Sequence, residues 1–413
     1  MKLRLGRLHG NETLFILCIQ VMLLMTGMGL VGPTLPQFAL SFWDSIAMVG
    51  LAITGFGVAR IIIAIPAGRI AGKFGRRPAV IAGPSILVVG SIGCALAHNF
   101  WGLLAFRFVQ GLGSGMHSTV AMIMLADISV PANRGRVMSF YQSTILLGLV
   151  LGPIIGGFVA QHFGLRAPFW GGAFLAAFAA LWAYFLLPET QEGSRLSETA
   201  TNNDSQTPIS NSGVGFKTLL WNISFLLICM IAFSILFMRT GVQYEIVPLL
   251  ANDRLALSSE QIGMTLGVTA IMQFVGVLMG GRLSDRFGRK LVIAPACLIV
   301  AGSLVMLTQS YSYSFFLLSC VVMGLGSGII VPIPAAYVAD IIPRESYSKG
   351  ISLYRTISDL GIVIGPILLG WFADVRGFNF PLFFNSVLLV LAVVLFQILA
   401  REPHGRFKHK RTV

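Results

Sequence analysis

Charge is scarce in this chain of 413 residues: Asp, Glu, Lys and Arg make up 11% of it, and only 16 residues are acidic. Soluble domains carry about 25% charged residues. Hydrophobic residues reach 55% and the mean hydropathy is +0.82, which excludes an ordinary soluble protein. The five cysteines have no metal-ligand spacing, so neither a metal site nor a disulfide framework is predicted. No phosphate-binding loop or nucleophile constellation is recognisable, so we expect neither a cofactor nor an enzyme.

The sequence is rich in long apolar segments. Twelve of them are long enough to cross about 30 Å of hydrocarbon, and in lipid each must be helical to satisfy its own backbone groups. The sequence therefore predicts an all-α membrane protein with twelve transmembrane helices in two six-helix bundles. The predicted spans are 13–35, 46–67, 79–97, 101–125, 137–160, 168–187, 220–249, 261–281, 291–309, 313–338, 350–373 and 380–400.

The second half of the chain repeats the first at a constant offset of 213 residues. The segment 68–77 (GRIAGKFGRR) returns at 281–290 (GRLSDRFGRK), and Gly152-Pro153-Ile154 returns as Gly365-Pro366-Ile367. Such a duplication implies two pseudo-symmetric bundles that face each other and bind a small molecule at the seam between them. We expect an N-terminal bundle over 1–190, a polar linker over 191–216, a C-terminal bundle over 217–400 and a basic tail over 401–413.

The net charge of +13 is distributed unevenly along this topology. If both termini lie on one side, most of the 29 Lys and Arg fall on that side, and only Arg166, Arg254 and Arg376 fall in the opposite loops. This asymmetry predicts a multi-pass cell-membrane protein with both termini in the cytoplasm. The expected partner is therefore the lipid bilayer, not nucleic acid, and we expect a monomer.

The repeated basic loops carry residues suited to a conformational latch. Asp127 and Asp340, at the ends of spans four and ten, can bind the loop arginines of their own halves. Asp285 can also lie at the N-terminus of a helix from the other half, where the helix dipole favours an anion. Such contacts would close the cytoplasmic side and break when it opens. The other loop residues expected to take part are Gly68, Arg69, Gly75, Arg76, Gly281, Arg286, Gly288 and Arg289.

These loops closely resemble the signature loop of the major facilitator superfamily, G-x-L-a-D-r-x-G-r-k. The second copy matches it in full, whereas the first has Gly72 in place of the acid. Residues 107–113 (RFVQGLG) resemble the fourth-helix motif of the family, and residues 148–157 (GLVLGPIIGG) resemble the fifth-helix motif found mainly in antiporters. The resemblance implies an alternating-access transporter, suggests export by antiport, and implies a latch that is weaker at the first loop.

The segment that resembles the fifth-helix motif has a physical rationale. Small residues four apart let another helix approach closely, and Pro153 bends the helix. Gly152 and Pro153 therefore predict a hinge or an ion-tight seal against the other half, and ordinary small-residue packing is the alternative.

Charged residues inside the spans must face a wet cavity or one another, because each costs about 3 kcal/mol at mid-helix. Asp359 lies near mid-bilayer, one turn after Arg355, so the two can pair. A carboxylate with an exchangeable partner suggests a proton-coupling site, and a static ion pair is the alternative. The remaining buried charges are Arg60 near the cytoplasmic end, where it can snorkel, Arg239 in the cleft, and Glu245 near the outer mouth.

Two further features bear on the predicted cavity. The family resemblance links Arg107 to proton movement or cavity electrostatics, although carbonyl groups of neighbouring helices could equally satisfy it. Met25 and Thr26 lie on span one, where methionines recur every three residues and flexible thioethers suit a permissive apolar pocket. Simple packing is the alternative for this methionine stripe.

The favoured interpretation is a secondary transporter that exports a small amphipathic organic compound or drug, coupled to inward proton movement. An organic-anion or sugar-type carrier working by uniport or symport is the alternative within transport. A membrane receptor that binds its ligand without carrying it is the alternative from another class.

Overall fold

The computed structural model of the chain describes residues 2–129, 133–189, 221–342 and 347–400. The predicted linker 191–216 and the predicted tail 401–413 lie outside these ranges.

The first half folds into seven α-helices, of which six are long. Their bounds are α1 Lys2–Val31, α2 Leu35–Leu40, α3 Ile46–Phe74, α4 Arg76–Ala95, α5 Phe100–Ile128, α6 Arg134–Phe163 and α7 Ala167–Leu186.

The second half follows the same order. One continuous helix consists of α8 Ile223–Phe237, a π-helical stretch Met238–Ile246 and α9 Val247–Leu255. The remaining helices are α10 Ser259–Phe287, α11 Arg289–Thr308, α12 Tyr313–Ile330, α13 Ile333–Ile341, α14 Tyr347–Arg376 and α15 Asn379–Leu399.

Eleven helices of the described ranges are long and apolar enough to cross a membrane. The remaining predicted span is α5, which has 29 residues and packs against α3 and α4. Its hydropathy is lowered by Arg107, Gln110 and His117, all of which are buried. The all-α, twelve-helix membrane fold in two bundles is therefore confirmed.

The turn between the second and third spans shows why the repeated loops need glycine. Gly75 has φ 103° and Gly288 has φ 97°, a backbone conformation that other residues rarely adopt. Each glycine ends one long helix, and the next helix begins at the following residue, Arg76 or Arg289. The duplicated glycines therefore place an arginine at the first turn of α4 and of α11.

Close helix contacts recur at the sequence offset of the repeat. A methyl group on Gly111 would overlap the backbone carbonyl of Phe56, and one on Gly324 would overlap that of Thr269. In each half the contact joins the fourth membrane span to the second. Gly324 lies 213 positions after Gly111, and Thr269 lies 213 positions after Phe56. The duplication seen in the sequence is therefore a duplication of packing.

Candidate functional site

A cavity of about 820 Å³ lies between the two halves. Its walls come from α1, α2, α3, α5 and α6 of the first half and from α8, the π-helical stretch and α14 of the second. This volume is within the range of sites that hold drug-sized molecules. Most lining residues are apolar, including Met25, Met28, Phe56, Ile145 and Leu236.

Two helix pairs form most of the interface between the halves, and they are equivalent in the repeat. We call α3 with α14 the charged seam and α6 with α10 the apolar seam. At the charged seam Gly50 lies against the backbone of Pro366, and at the apolar seam Gly263 lies against the backbone of Pro153. A methyl group on either glycine would overlap the opposing carbonyl oxygen. One end of the bundle, which we call the far end, is closed by these contacts.

The glycines of the fifth-helix motif serve two neighbours. Gly152 approaches Gly29 and the carbonyl of Thr26 on α1, whereas Gly157 approaches Gly263 on α10. Thr26 is buried and contributes backbone to this contact, while Met25 lines the cavity. The motif therefore packs α6 against its own half and against the other half at once.

A carboxylate from the second half caps a helix of the first at the far end. Asp374, near the end of α14, accepts hydrogen bonds from the backbone N–H groups of Ile46 (2.7 Å) and Ala47 (3.0 Å) and from the hydroxyl of Ser45 (2.7 Å). These groups form the N-terminus of α3, where unpaired N–H groups and the helix dipole favour an anion. Asp374 thus ties the two halves together by charge-assisted hydrogen bonds.

Glu245 lies at the far end too, but it is buried inside the bundle, whereas Asp374 is exposed. It belongs to the π-helical stretch, is fully buried, and neither carboxylate oxygen has a hydrogen-bond partner within the described residues. Its Oε1 lies where a methyl group on Gly370 would be, next to the carbonyl of Ile46. Burying a carboxylate without a hydrogen-bond partner is costly, so the closed far end holds Glu245 in an unfavourable environment.

The opposite end carries the repeated basic loops, and we call it the basic end. Arg76 Nε lies 3.1 Å from Asp127, and Arg289 Nε lies 2.9 Å from Asp340. Both pairs stay within one half. Among the described residues, no hydrogen bond joins the halves at this end, and the cavity lining reaches it at Ala126.

The second basic loop carries one more ion pair than the first. Asp285 lies 3.2 Å from Arg289, one turn away on its own loop, and its side chain is 72% exposed. It is therefore not seated on a helix of the other half in this conformation, because the basic end is open. Of the other loop residues, Gly68 and Gly281 face open space, Arg69 is exposed, and Arg286 lies over the ring of Phe287 at 5.2 Å.

Charged side chains of the cavity come from four helices, one of which is α5 with Arg107. Arg60, Arg239 and Arg355 all line it, and Asp359 lies within electrostatic range of Arg60 and Arg355. Arg355 and Asp359 are one turn apart on α14, but no N–O distance within 4.0 Å joins them. The pairing predicted from their spacing is absent in this conformation, in which Arg355 lines the cavity and Asp359 does not.

Arg107 is held by side chains of its own half. Its Nη1 donates to Gln110 Oε1 at 2.9 Å, and Gln110 in turn donates to Ser91 Oγ at 2.9 Å. The guanidinium also lies 4.7 Å from the centre of the Phe56 ring, a cation–π contact. These contacts of Arg107 are with an amide and a ring and not with carbonyl groups, and its Nε is buried without a hydrogen-bond partner among the described residues.

Three functional positions were missed or misread in the sequence. Arg60 faces the cavity, although its place near the basic loop suggested snorkelling. Asp374 had no repeat counterpart to mark it, since position 161 is a glutamine. Glu189 accepts hydrogen bonds from the backbone of Arg76 (3.0 Å) and Arg77 (3.1 Å), so the end of the first bundle caps α4.

Comparison with known proteins agrees with this architecture. The sequence model of the Major Facilitator Superfamily matches residues 17–246 and 229–412. Multidrug resistance protein 1 of Bacillus subtilis (strain 168) is 26% identical over 392 residues, which cover 93% of this chain and 95% of that protein. Quinolone resistance protein NorA of Staphylococcus aureus is 23% identical over 402 residues, which cover 97% of this chain and 99% of that protein.

A solved structure shares the fold at lower identity. A bacterial homolog to the human lysosomal transporter Spinster, in an inward-facing and occupied conformation, matches with a TM-score of 0.77 and 16% identity. The match covers 94% of this chain and 96% of that one.

Proposed function

Because the chain belongs to the major facilitator superfamily and is a multi-pass membrane transporter, we propose that it exports a small amphipathic organic molecule in exchange for protons. The observation that carries this proposal is the cavity of about 820 Å³ at the seam of two repeated bundles, closed at one end and open at the other. The names of the two bacterial relatives, multidrug and quinolone resistance proteins, support an organic substrate.

Alternating access follows from the contrast between the two ends of the bundle. The far end is held by Asp374 and by the paired glycine contacts, whereas the basic end has ion pairs only within each half. If the basic loops face the cytoplasm, as their charge predicts, this is an inward-facing state. Rocking the halves about the cavity would exchange the two closures. Since one chain supplies both halves, a monomer suffices.

Proton coupling is assigned to Asp359. It lies one turn from Arg355, which lines the cavity, and within electrostatic range of Arg60 and Arg355, yet it forms no ion pair within the described residues. Its charge state therefore responds to what enters the cavity. Glu245 is the second candidate, because it is fully buried and its carboxylate has no hydrogen-bond partner among the described residues in this state.

The test is flux of a fluorescent quinolone in sealed proteoliposomes, with and without an imposed pH gradient. Asp359→Asn is expected to abolish gradient-driven accumulation while leaving downhill exchange partly intact. Asp44→Asn, a change at an exposed carboxylate outside the cavity, is the matched control and should behave like wild type. Gradient-driven accumulation by Asp359→Asn at the wild-type rate would contradict the assignment, and the same experiment on Glu245→Gln would then locate the coupling site.

A further inference from the structure

The register between α3 and α14 brings charges from both halves to one level of the cavity. Thr54 Oγ1 donates a hydrogen bond to the carbonyl of Val363 at 2.7 Å, and Gly57 lies against the side chain of Ile362. Together with the contact of Gly50 with Pro366, this order shows that the two helices are antiparallel. One further turn along α3 therefore places Arg60 opposite the turn that carries Arg355 and Asp359.

A third guanidinium reaches the same level from the π-helical stretch. The hydroxyl of Thr240 lies 3.4 Å from the carbonyl of Gly361 on α14, so the preceding residue, Arg239, lies beside the turn that carries Asp359. Arg60 is within electrostatic range of Arg239, Arg355 and Asp359. Three arginines from three helices thus meet on one wall of the cavity.

This cluster has too few negative charges of its own. Within the described residues, none of the three guanidinium groups forms a hydrogen bond or an ion pair within 4.0 Å, and Asp359 is the one carboxylate near them. Glu245 packs against Gly370 at the closed end and does not line the cavity. Two positive charges are left over at mid-membrane, where uncompensated charge is costly.

We infer that Arg60, Arg239 and Arg355 form an anion-binding subsite and that the transported molecule is an organic anion. Its carboxylate, sulfonate or phosphate group lies against the arginines, whose planar forks bind such oxyanions in two-point contacts. Its apolar body lies against the wall that includes Met25 and Phe56. This inference rests on the proposed transport function and narrows its substrate to one charge class.

The experiment uses the full chain in phosphatidylcholine nanodiscs and three probes with one aromatic body. The probes are 2-naphthalenesulfonate, the neutral 2-naphthalenesulfonamide and the cationic 2-naphthylmethylammonium, and calorimetry measures their Kd values. Wild type is expected to bind the sulfonate at least about tenfold more tightly than the sulfonamide. Arg60→Gln, Arg239→Gln and Arg355→Gln are each expected to weaken sulfonate binding about tenfold and to leave the sulfonamide unchanged.

Two further variants keep the test decisive if a glutamine variant folds poorly. Asp359→Asn removes the competing carboxylate, so it should strengthen sulfonate binding, and Arg355→Lys should retain most of it. Arg166→Gln, at an exposed arginine outside the cavity, is the matched control for loss of one cation. Sulfonamide binding and the size-exclusion profile report whether each variant is folded.

The outcomes separate this inference from the proposed function. Equal binding of sulfonate and sulfonamide by wild type, or inorganic phosphate binding without sulfonate binding, overturns the inference. Proteoliposome counterflow of the cationic probe with unchanged rates in the arginine variants also overturns it, but leaves the transport function standing. A reconstituted protein that gives no counterflow with any charged or neutral probe contradicts both.

Discussion

The two seams between the halves have the same backbone geometry and different chemistry. In each, a glycine lies against the backbone of a proline: Gly50 against Pro366 at the charged seam, and Gly263 against Pro153 at the apolar seam. Yet the stretches 137–161 of α6 and 261–281 of α10 contain no charged residue, whereas α3 and α14 contribute Arg60 and Arg355 to the cavity.

This difference separates what duplication supplies from what later divergence adds. The glycine–proline contact is common to both seams, so it belongs to the closure that any alternating-access bundle needs. Arg60, Arg355, Asp359 and Asp374 lie at one seam only. Closure is therefore shared by two equivalent interfaces, while charge recognition and the carboxylate cap are concentrated in one.

The largest effect is expected from replacing the glycine of either glycine–proline contact by a larger residue. Gly50→Leu and Gly263→Leu would each push a side chain into the opposing carbonyl, and overpacking costs about 1–3 kcal/mol or more. Both variants should keep the far end open and abolish transport. The readout is labelling of Leu35→Cys, a buried residue at the closed end of the cavity, by a membrane-impermeant maleimide that is added only on the side of the far end. Background should be low, because the five native cysteines are buried.

Gly302→Leu is the matched control for this pair, since nothing lies within 4 Å of a Cβ at that position. It should transport and label like wild type. If Gly50→Leu and Gly263→Leu differed strongly from each other, the two seams would not share the work of closure and the comparison would fail.

An intermediate effect is expected from removing the Asp374 carboxylate that caps α3, a contact that only the charged seam has. Asp374→Asn removes the charge that three donors of α3 bind. Hydrogen bonds to charged groups contribute about 1.5–3 kcal/mol, and the partial exposure of Asp374 places this cap at the lower limit. The far end should therefore open about tenfold more often, seen as faster labelling of Leu35→Cys with transport reduced but not abolished.

Asp44→Asn provides the comparison, because Asp44 is an exposed carboxylate only one residue before Ser45. High salt should reduce the effect of Asp374→Asn, since exposed charges are screened. Unchanged labelling in Asp374→Asn would mean that the glycine contacts alone close this end.

The fold was predictable because its signals are local or repeated. Predicted span 168–187 became α7 Ala167–Leu186, and predicted span 101–125 became α5 Phe100–Ile128. Gly241 and Pro248 are residues that can break a helix, yet the seventh span is continuous, because it passes through a π-helical stretch. Nine residues wound as a π-helix accommodate Gly241 close to α14 without a break.

The site was less predictable because its contacts cross the seam. Spacing on one helix placed Asp359 next to Arg355, but not next to Arg60, since the register between α3 and α14 is set by Thr54 and Gly57. Asp374 looked like an ordinary residue at a helix end, because the N–H groups that it caps lie more than 300 positions away in the chain. No single-helix pattern carries such information.

The smallest effect is expected at the basic loops, where the two copies differ by one acid. Asp285 binds Arg289 in this state, and its counterpart is Gly72. When the basic end closes, Asp285 is expected to move to the N-terminus of α6, an exposed contact of about 0.3–1 kcal/mol. Asp285→Asn should therefore lower transport only about two- to fivefold and favour the state in which the basic end is open.

Gly72→Asp should be tolerated or should strengthen closure of the basic end, since nothing lies within 4 Å of a Cβ at Gly72. Labelling of Gln142→Cys, an exposed cavity residue near this end, reports both changes. If Asp285→Asn labelled like wild type, the extra acid of the second loop would have no part in closing the basic end.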